Sequence, residues 1–215
     1  MRSISTKQDH LLVSAIGAIF GLLTIPILEN IRPPQWELNL ATAAALIIGF
    51  SLFANLALWI AGLIGAKYPA IFQFAKYAAT GAMNSFTDIG ILNLLSLTFQ
   101  IFAGPLIILF NVISFSVAVT NSYFWNNIWV FKKEGGGLSV AQFGKFLGVT
   151  ISGVAINSAI LYTVTTLIGA PAGMSPALWE NVGKLVAVPV AVIWNFFGYK
   201  FFVFRRQPDY FPSPE

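Results

Sequence analysis

Residues 74–131 read FAKYAATGAMNSFTDIGILNLLSLTFQIFAGPLIILFNVISFSVAVTNSYFWNNIWVF, and the chain then says the same thing again. The first copy opens with Phe74, Lys76 and Tyr77 and closes with Trp129-Val130-Phe131, followed at once by Lys132 and Lys133. The second opens with Phe143, Lys145 and Phe146 and closes with Phe202-Val203-Phe204, followed at once by Arg205 and Arg206. The offset is 145 − 76 = 69 at the opening and 204 − 131 = 73 at the close, so four extra residues sit inside the second copy. A repeat of this kind sets the architecture before any single residue is considered.

Composition names the solvent. The 215 residues are 57% hydrophobic and 9% charged, with mean hydropathy +0.76. A soluble domain carries ~25% charged residues, so this chain cannot cover a water-facing surface and its surroundings are lipid. Cysteine is absent and His10 is the single histidine, which excludes a thiolate or multi-histidine metal site. The three aspartates, Asp9, Asp88 and Asp209, are too scattered for a metal-dependent transferase. No catalytic constellation, metal site or cofactor site is read here, and the expectation is a protein that is not an enzyme. The net charge of +4 belongs to basic loops rather than to a nucleic-acid-binding domain.

The spans follow from apolar runs and their breaks. A first run, Leu11 to Leu28, is about the ~20 residues that a bilayer needs. A signal peptide is the rival reading, but the small-residue site Ala41-Thr42-Ala43 comes late for cleavage. Pro33-Pro34 interrupts, and a second run spans Leu38 to Ile64. Pro69 and Gly104-Pro105 start the third and fourth helices, to Phe99 and Phe131. The glycine-rich loop at 132–137 is a connector, since no strand precedes it. The fifth helix runs from Val140 to Ile168, and Ser175-Pro176 caps a sixth that reaches Phe204. The expected fold is an all-α membrane protein of six transmembrane helices. Residues 1–65 form a two-helix extension, and 66–215 a four-helix domain built as two tandem parallel repeats, about 70–133 and 139–206. With the N-terminus inside, ten of the twelve lysines and arginines face the cytoplasm, so both termini are expected there, in a cell (inner) membrane.

Ionisable groups at membrane depth are functional hypotheses by default. Asp88 lies 12 residues past Lys76 (88 − 76), ~18 Å deeper at 1.5 Å per residue. The first offset maps Asp88 onto Asn157 (157 − 88 = 69), and the second maps Lys184 onto Asn111 (184 − 111 = 73). Glu180 and Lys184 are spaced i, i+4 with the acid first, so Lys184 is expected to pair with Glu180 in preference to Asp88. Asn84, Asp88, Asn111, Lys184, Glu180 and Asn195 are the candidate substrate-binding residues. Lys76, Lys145, Lys200, Arg205 and Arg206 form a cytoplasmic ring suited to an anionic headgroup. Each asparagine taken singly reads first as a helix-to-helix bonding group. Tyr123-Phe124-Trp125 and Tyr199-Lys200-Phe201-Phe202 read as an interfacial belt. Gly81, Gly90, Gly144, Gly148 and Gly153 read as sites of close helix approach.

At these residues the chain resembles the GtrA family of small membrane proteins. The pieces are Phe74-Ala75-Lys76-Tyr77, Asn84-Ser85-Phe86-Thr87-Asp88, Asn111-Val112-Ile113-Ser114-Phe115, Asn121-Ser122-Tyr123-Phe124, Phe143-Gly144-Lys145-Phe146, Gly183-Lys184-Leu185 and Trp194-Asn195-Phe196. The resemblance covers about residues 70–206. The first two helices lie outside the family's four-helix pattern. The resemblance implies handling of polyprenyl-phosphate-linked sugars: flipping such a lipid for cell-surface polysaccharide synthesis, or assisting the glycosyltransferase that makes it. A third reading makes Asp88 the proton-coupled site of a small drug or ion transporter. The implied partners are the lipid-linked sugar or another anionic lipid, and a glycosyltransferase. Four core helices are few to enclose a path, which points to a homo-oligomer.

Overall fold

A computed structural model describes residues 3–33, 36–130, 140–198 and 201–202. Among these residues the chain is helical and contains no strand. Six helices follow in order: α1 (Lys7–Ile31), α2 (Leu40–Gly65), α3 (Pro69–Phe99), α4 (Pro105–Trp125), α5 (Val140–Tyr162) and α6 (Pro176–Gly198). A π-helical turn extends α4 over Asn126–Val130, and another extends α5 over Thr163–Ile168.

The helix starts have local causes. Thr6 and Asp9 form a reciprocal capping box, in which each side chain accepts the other's backbone N–H at 3.1 and 3.0 Å. The cap moves the start of α1 to Lys7, ahead of the apolar run. Asn39 caps α2 by accepting the Thr42 N–H at 2.9 Å. Proline occupies the first position of α3, α4 and α6, and Ser175 accepts the Leu178 N–H at 3.2 Å. Gln100, left-handed at φ 55°, ends α3.

Helices α3–α4 and α5–α6 are antiparallel hairpins, joined face to face through α4 and α5. The extension lies against the first hairpin, with α1 packed on both α2 and α3. Gly17 and Gly21 allow the α1–α2 approach: a Cβ at Gly17 would come within 2.6 Å of Phe50 O and Ser51 Cα. Gly90 meets Leu23 and Gly153 meets the Asn195 side chain, as expected of close approach. Gly81, Gly144 and Gly148 correct that expectation, since nothing lies within 4 Å of a Cβ there. They sit on faces turned away from the bundle.

The distribution of polarity is inverted relative to a water-soluble bundle. Leu52, Phe53 and Leu185 are 66%, 67% and 71% exposed, while Lys184 and Glu180 are fully buried. Two apolar clusters fill the interior. Val13, Ile16, Leu58, Phe72, Met83 and Trp129 form one; Leu92, Ile107, Phe110 and Leu161 form the other. Along α3, Asp88 falls between Met83 and Leu92, so a polar layer separates the clusters. Trp125 and Trp129 belong to the first cluster, 6% and 2% exposed, whereas Phe124 faces outward as a belt residue would.

Among the described residues, five helices are by length and composition apolar enough to cross a membrane: Lys7–Ile31, Leu40–Gly65, Pro105–Ser122, Gly144–Ile168 and Pro176–Asn195. Helix α3 has the length, 31 residues, but Asn84, Asp88 and Asn93 lower its hydropathy. This is a membrane protein of several apolar helices.

Candidate functional site

The polar layer is assembled around one ammonium. Lys184 Nζ donates to Asp88 Oδ2 at 2.7 Å, to Asn157 Oδ1 at 3.2 Å, and to Asn111 Oδ1. Three oxygens use all three donors of a lysine. Asp88 Oδ1 accepts from Ser114 Oγ at 2.7 Å, and Asn111 Nδ2 donates to Ser158 Oγ at 2.8 Å. Each of α3, α4, α5 and α6 therefore supplies one residue to the ammonium group: Asp88, Asn111, Asn157 and Lys184. These are the four positions that the two repeat offsets pair. All four are buried, with Asp88 at 4% exposure.

This arrangement overturns the expected pairing of Lys184 with Glu180. The salt bridge is to Asp88, and among the described residues no ion pair joins Lys184 to Glu180. The reason is depth. Measured from the Phe99 and Pro176 ends of the antiparallel helices, Asp88 is 11 residues in and Lys184 is 8 (99 − 88 and 184 − 176). The difference of three residues is ~4.5 Å along a helix axis, within the span of a lysine side chain. Glu180 instead accepts from Ser96 Oγ at 2.6 Å through Oε1, and its Oε2 makes no hydrogen bond within the protein.

About a turn and a half beyond Asp88 is a knot of asparagines that sequence reading did not single out as a unit. Asn93 and Asn181 exchange hydrogen bonds at 3.0 and 2.8 Å, and Asn30 Nδ2 donates to Asn93 Oδ1 at 2.6 Å. The knot ties α1 and α6 to α3. Ser96, Ser114 and Ser158 were missed as well; a membrane serine commonly bonds to its own helix carbonyl, so its presence carries no signal of a site.

Asn84 and Asn195 stand apart from the cluster. Asn84 is half-buried with Oδ1 unpaired, and no hydrogen bond joins it to Lys184. Asn195 lies 11 residues past Lys184 (195 − 184), ~16 Å along α6, with its Oδ1 likewise unpaired.

The expected basic ring is only partly described. Lys76 is in an ion pair with Asp9 at 2.5 Å, under the rings of Phe72 and Trp129 at 4.7 and 5.5 Å. Trp129 Nε1 donates to the same Asp9 oxygen at 2.9 Å. Lys76 thus fastens α1 to α3, and the Thr6-x-x-Asp9 cap is the sequence signal that could have placed Asp9 at this junction. Lys145 is exposed. Lys200, Arg205 and Arg206 lie outside the described residues. Lys76 precedes Asp88 by 12 residues, ~18 Å along α3, so the two groups of candidates are not brought together.

A buried lysine held by one carboxylate and two amide oxygens has two chemical uses. It can lock four helices, or it can exchange its carboxylate for the oxygens of a phosphate. The GtrA/DPMS transmembrane-domain model matches residues 76–204, more than half of the chain, including all four residues of the Lys184 cluster. No curated protein and no solved structure matches the chain. With that match over α3 to α6, the chain belongs to the GtrA/DPMS transmembrane-domain family.

Proposed function

We propose that the protein moves a polyprenyl-phosphate-linked sugar across the cell (inner) membrane for the synthesis of cell-surface polysaccharide. The observation that carries this reading is the Lys184 ammonium, fully buried among residues from four helices within the family-matched region. Such a group is costly in lipid unless it is used. In this reading α3 is the sixth span, both termini are cytoplasmic, and the basic residues gather the phosphate at the cytoplasmic face. The α3–α4 and α5–α6 hairpins part to admit the headgroup. Lys184 then trades Asp88 for phosphate while the isoprenoid tail stays in lipid. The two halves contribute differently, since the first brings a carboxylate on α3 and the second an ammonium on α6.

The test is movement of a labelled polyprenyl-phosphate sugar across proteoliposomes. Asp88→Asn/Lys184→Met, which removes the pair without orphaning either charge, is expected to abolish movement while the protein stays folded. Undiminished movement sinks the assignment.

A second reading is a non-transporting partner of a polyprenyl-phosphate glycosyltransferase. The buried cluster, in which all three Lys184 donors are used, favours it, because a structural lock needs no access. Co-purification with such an enzyme, together with no lipid movement by the protein alone, decides for it.

A further inference from the structure

Three carboxyl groups are buried among the described residues. Asp9 is held by Lys76 and Asp88 by Lys184. Glu180, fully buried, is in no ion pair among the described residues. One of its oxygens accepts from Ser96, and the other has no partner in the protein.

Among the described residues, the surrounding elements offer nothing else to balance a charge there. The end of α1 brings Glu29 and the cap residue Arg32 that follows the helix, which pair with each other at 2.6 Å. Helix α3 brings Asp88. Between Phe146 and Ile168, α5 and its π turn bring Tyr162 as their one titratable group. Helix α6 itself brings Lys184, one turn away. The local inventory is then one ammonium and two carboxyl groups. An uncompensated carboxylate in such a site costs several kcal/mol, and a group so placed neutralises instead. Asp88 has the ammonium and the Ser114 hydroxyl; Glu180 has the Ser96 hydroxyl and no ammonium.

We propose that Glu180 is a proton-binding site, and that release of its proton draws Lys184 away from Asp88. Glu180 and Lys184 are four residues apart and share a helix face. Once Glu180 is a carboxylate, the ammonium has a second anion within reach of its flexible stem. The α3–α6 tie then weakens. The proton passes to water at the Pro176 end of α6, four residues and ~6 Å away along the axis. The coupling part rests on the transport reading above: one proton released at that end accompanies each opening of the cluster. This assigns the coupling ion to Glu180.

The test is infrared difference spectroscopy on the purified protein in lipid, read at the carbonyl stretch of a protonated carboxylic acid. At neutral pH one such band is expected. It shifts with isotope-labelled glutamate and not with labelled aspartate, and it disappears in Glu180→Gln. That variant keeps the shape of the side chain and can keep the Ser96 hydrogen bond, so its melting temperature serves as the control for folding. Asp88→Asn is also expected to remove the band, because Lys184 is then free to hold an ionised Glu180. Absence of the band at neutral pH, or a band that moves with labelled aspartate, overturns the assignment. These spectra do not depend on lipid movement, so their failure is separate from that of the transport reading. In proteoliposomes, a pH gradient is expected to change the wild-type rate of lipid movement and to leave Glu180→Gln unaffected. A wild-type rate indifferent to the gradient overturns the coupling.

Discussion

Replacing Lys184 by methionine keeps most of the side-chain volume and removes the ammonium at the centre of the polar layer. Asp88 then keeps only the Ser114 hydroxyl at 2.7 Å, and the oxygens of Asn111 and Asn157 lose their donor. Breaking a buried ion pair by removing one partner costs ~3–5 kcal/mol, because the surviving charge is left unpaired. Asp88→Asn takes the carboxylate from the ammonium at up to the same cost, because Glu180 must give up its proton before Lys184 can hold it. The double variant Asp88→Asn/Lys184→Met carries no buried charge at this layer. It loses hydrogen bonds worth ~0.6 kcal/mol each in membrane helices, so about 2 kcal/mol for the three bonds to Lys184. The single variants would sum to ~6–10 kcal/mol if independent, so the double variant should be several kcal/mol more stable than the sum. Reversible unfolding in mixed micelles, followed by far-UV circular dichroism, gives the four stabilities. Additivity within ~0.5 kcal/mol would refute the reasoning, since it would mean that the two charges do not feel each other. So would a Lys184→Met protein as stable as the wild type.

Gly17→Leu forces a side chain against the α2 backbone at Phe50 and Ser51 and should cost at least ~1–3 kcal/mol by overpacking, whereas Gly81→Ala, with open space around it, should be close to neutral in the same unfolding assay. Asp9→Asn removes the anion that Lys76 and Trp129 share; the first turn of α1 should loosen, read as faster amide exchange at residues 7–13. Asn181→Ala breaks the exchange with Asn93 and should cost ~1 kcal/mol, two membrane hydrogen bonds, with Asn30→Ala costing about half as much. A cysteine at Ser3 and another at Gln100 should react with a membrane-impermeant thiol reagent from opposite sides of the membrane; labelling from one side would break the assignment of α3 as a span.

Much of the helical frame was legible. Apolar runs, Pro69, Pro105 and Ser175-Pro176 placed five of the six helix starts within two residues, because a helix start is a matter of local dihedrals and unpaired N–H groups. The Thr6–Asp9 cap was overlooked, and α1 begins four residues earlier than its apolar run. Four of the candidate site residues, Asp88, Asn111, Lys184 and Glu180, do lie in or beside the buried polar layer. Asn84 and Asn195 do not join it, since sharing a helix with a cluster residue does not place a side chain at the same depth or on the same face.

The sequence by itself determined that the chain lives in lipid and where five of its six helices begin, and its offsets align Asp88 with Asn157 and Lys184 with Asn111. Those are properties of composition, of local hydrogen bonding and of register within one strand of text. Only the tertiary structure decided that these four residues converge, that Lys184 chooses Asp88 over the acid on its own helix, that Glu180 is left without a cation, and that Lys76 is spent on Asp9. Each of those outcomes depends on how far antiparallel helices slide and rotate against one another. Packing of whole helix faces sets that slide, and a few ångströms of it decide which carboxylate a lysine reaches.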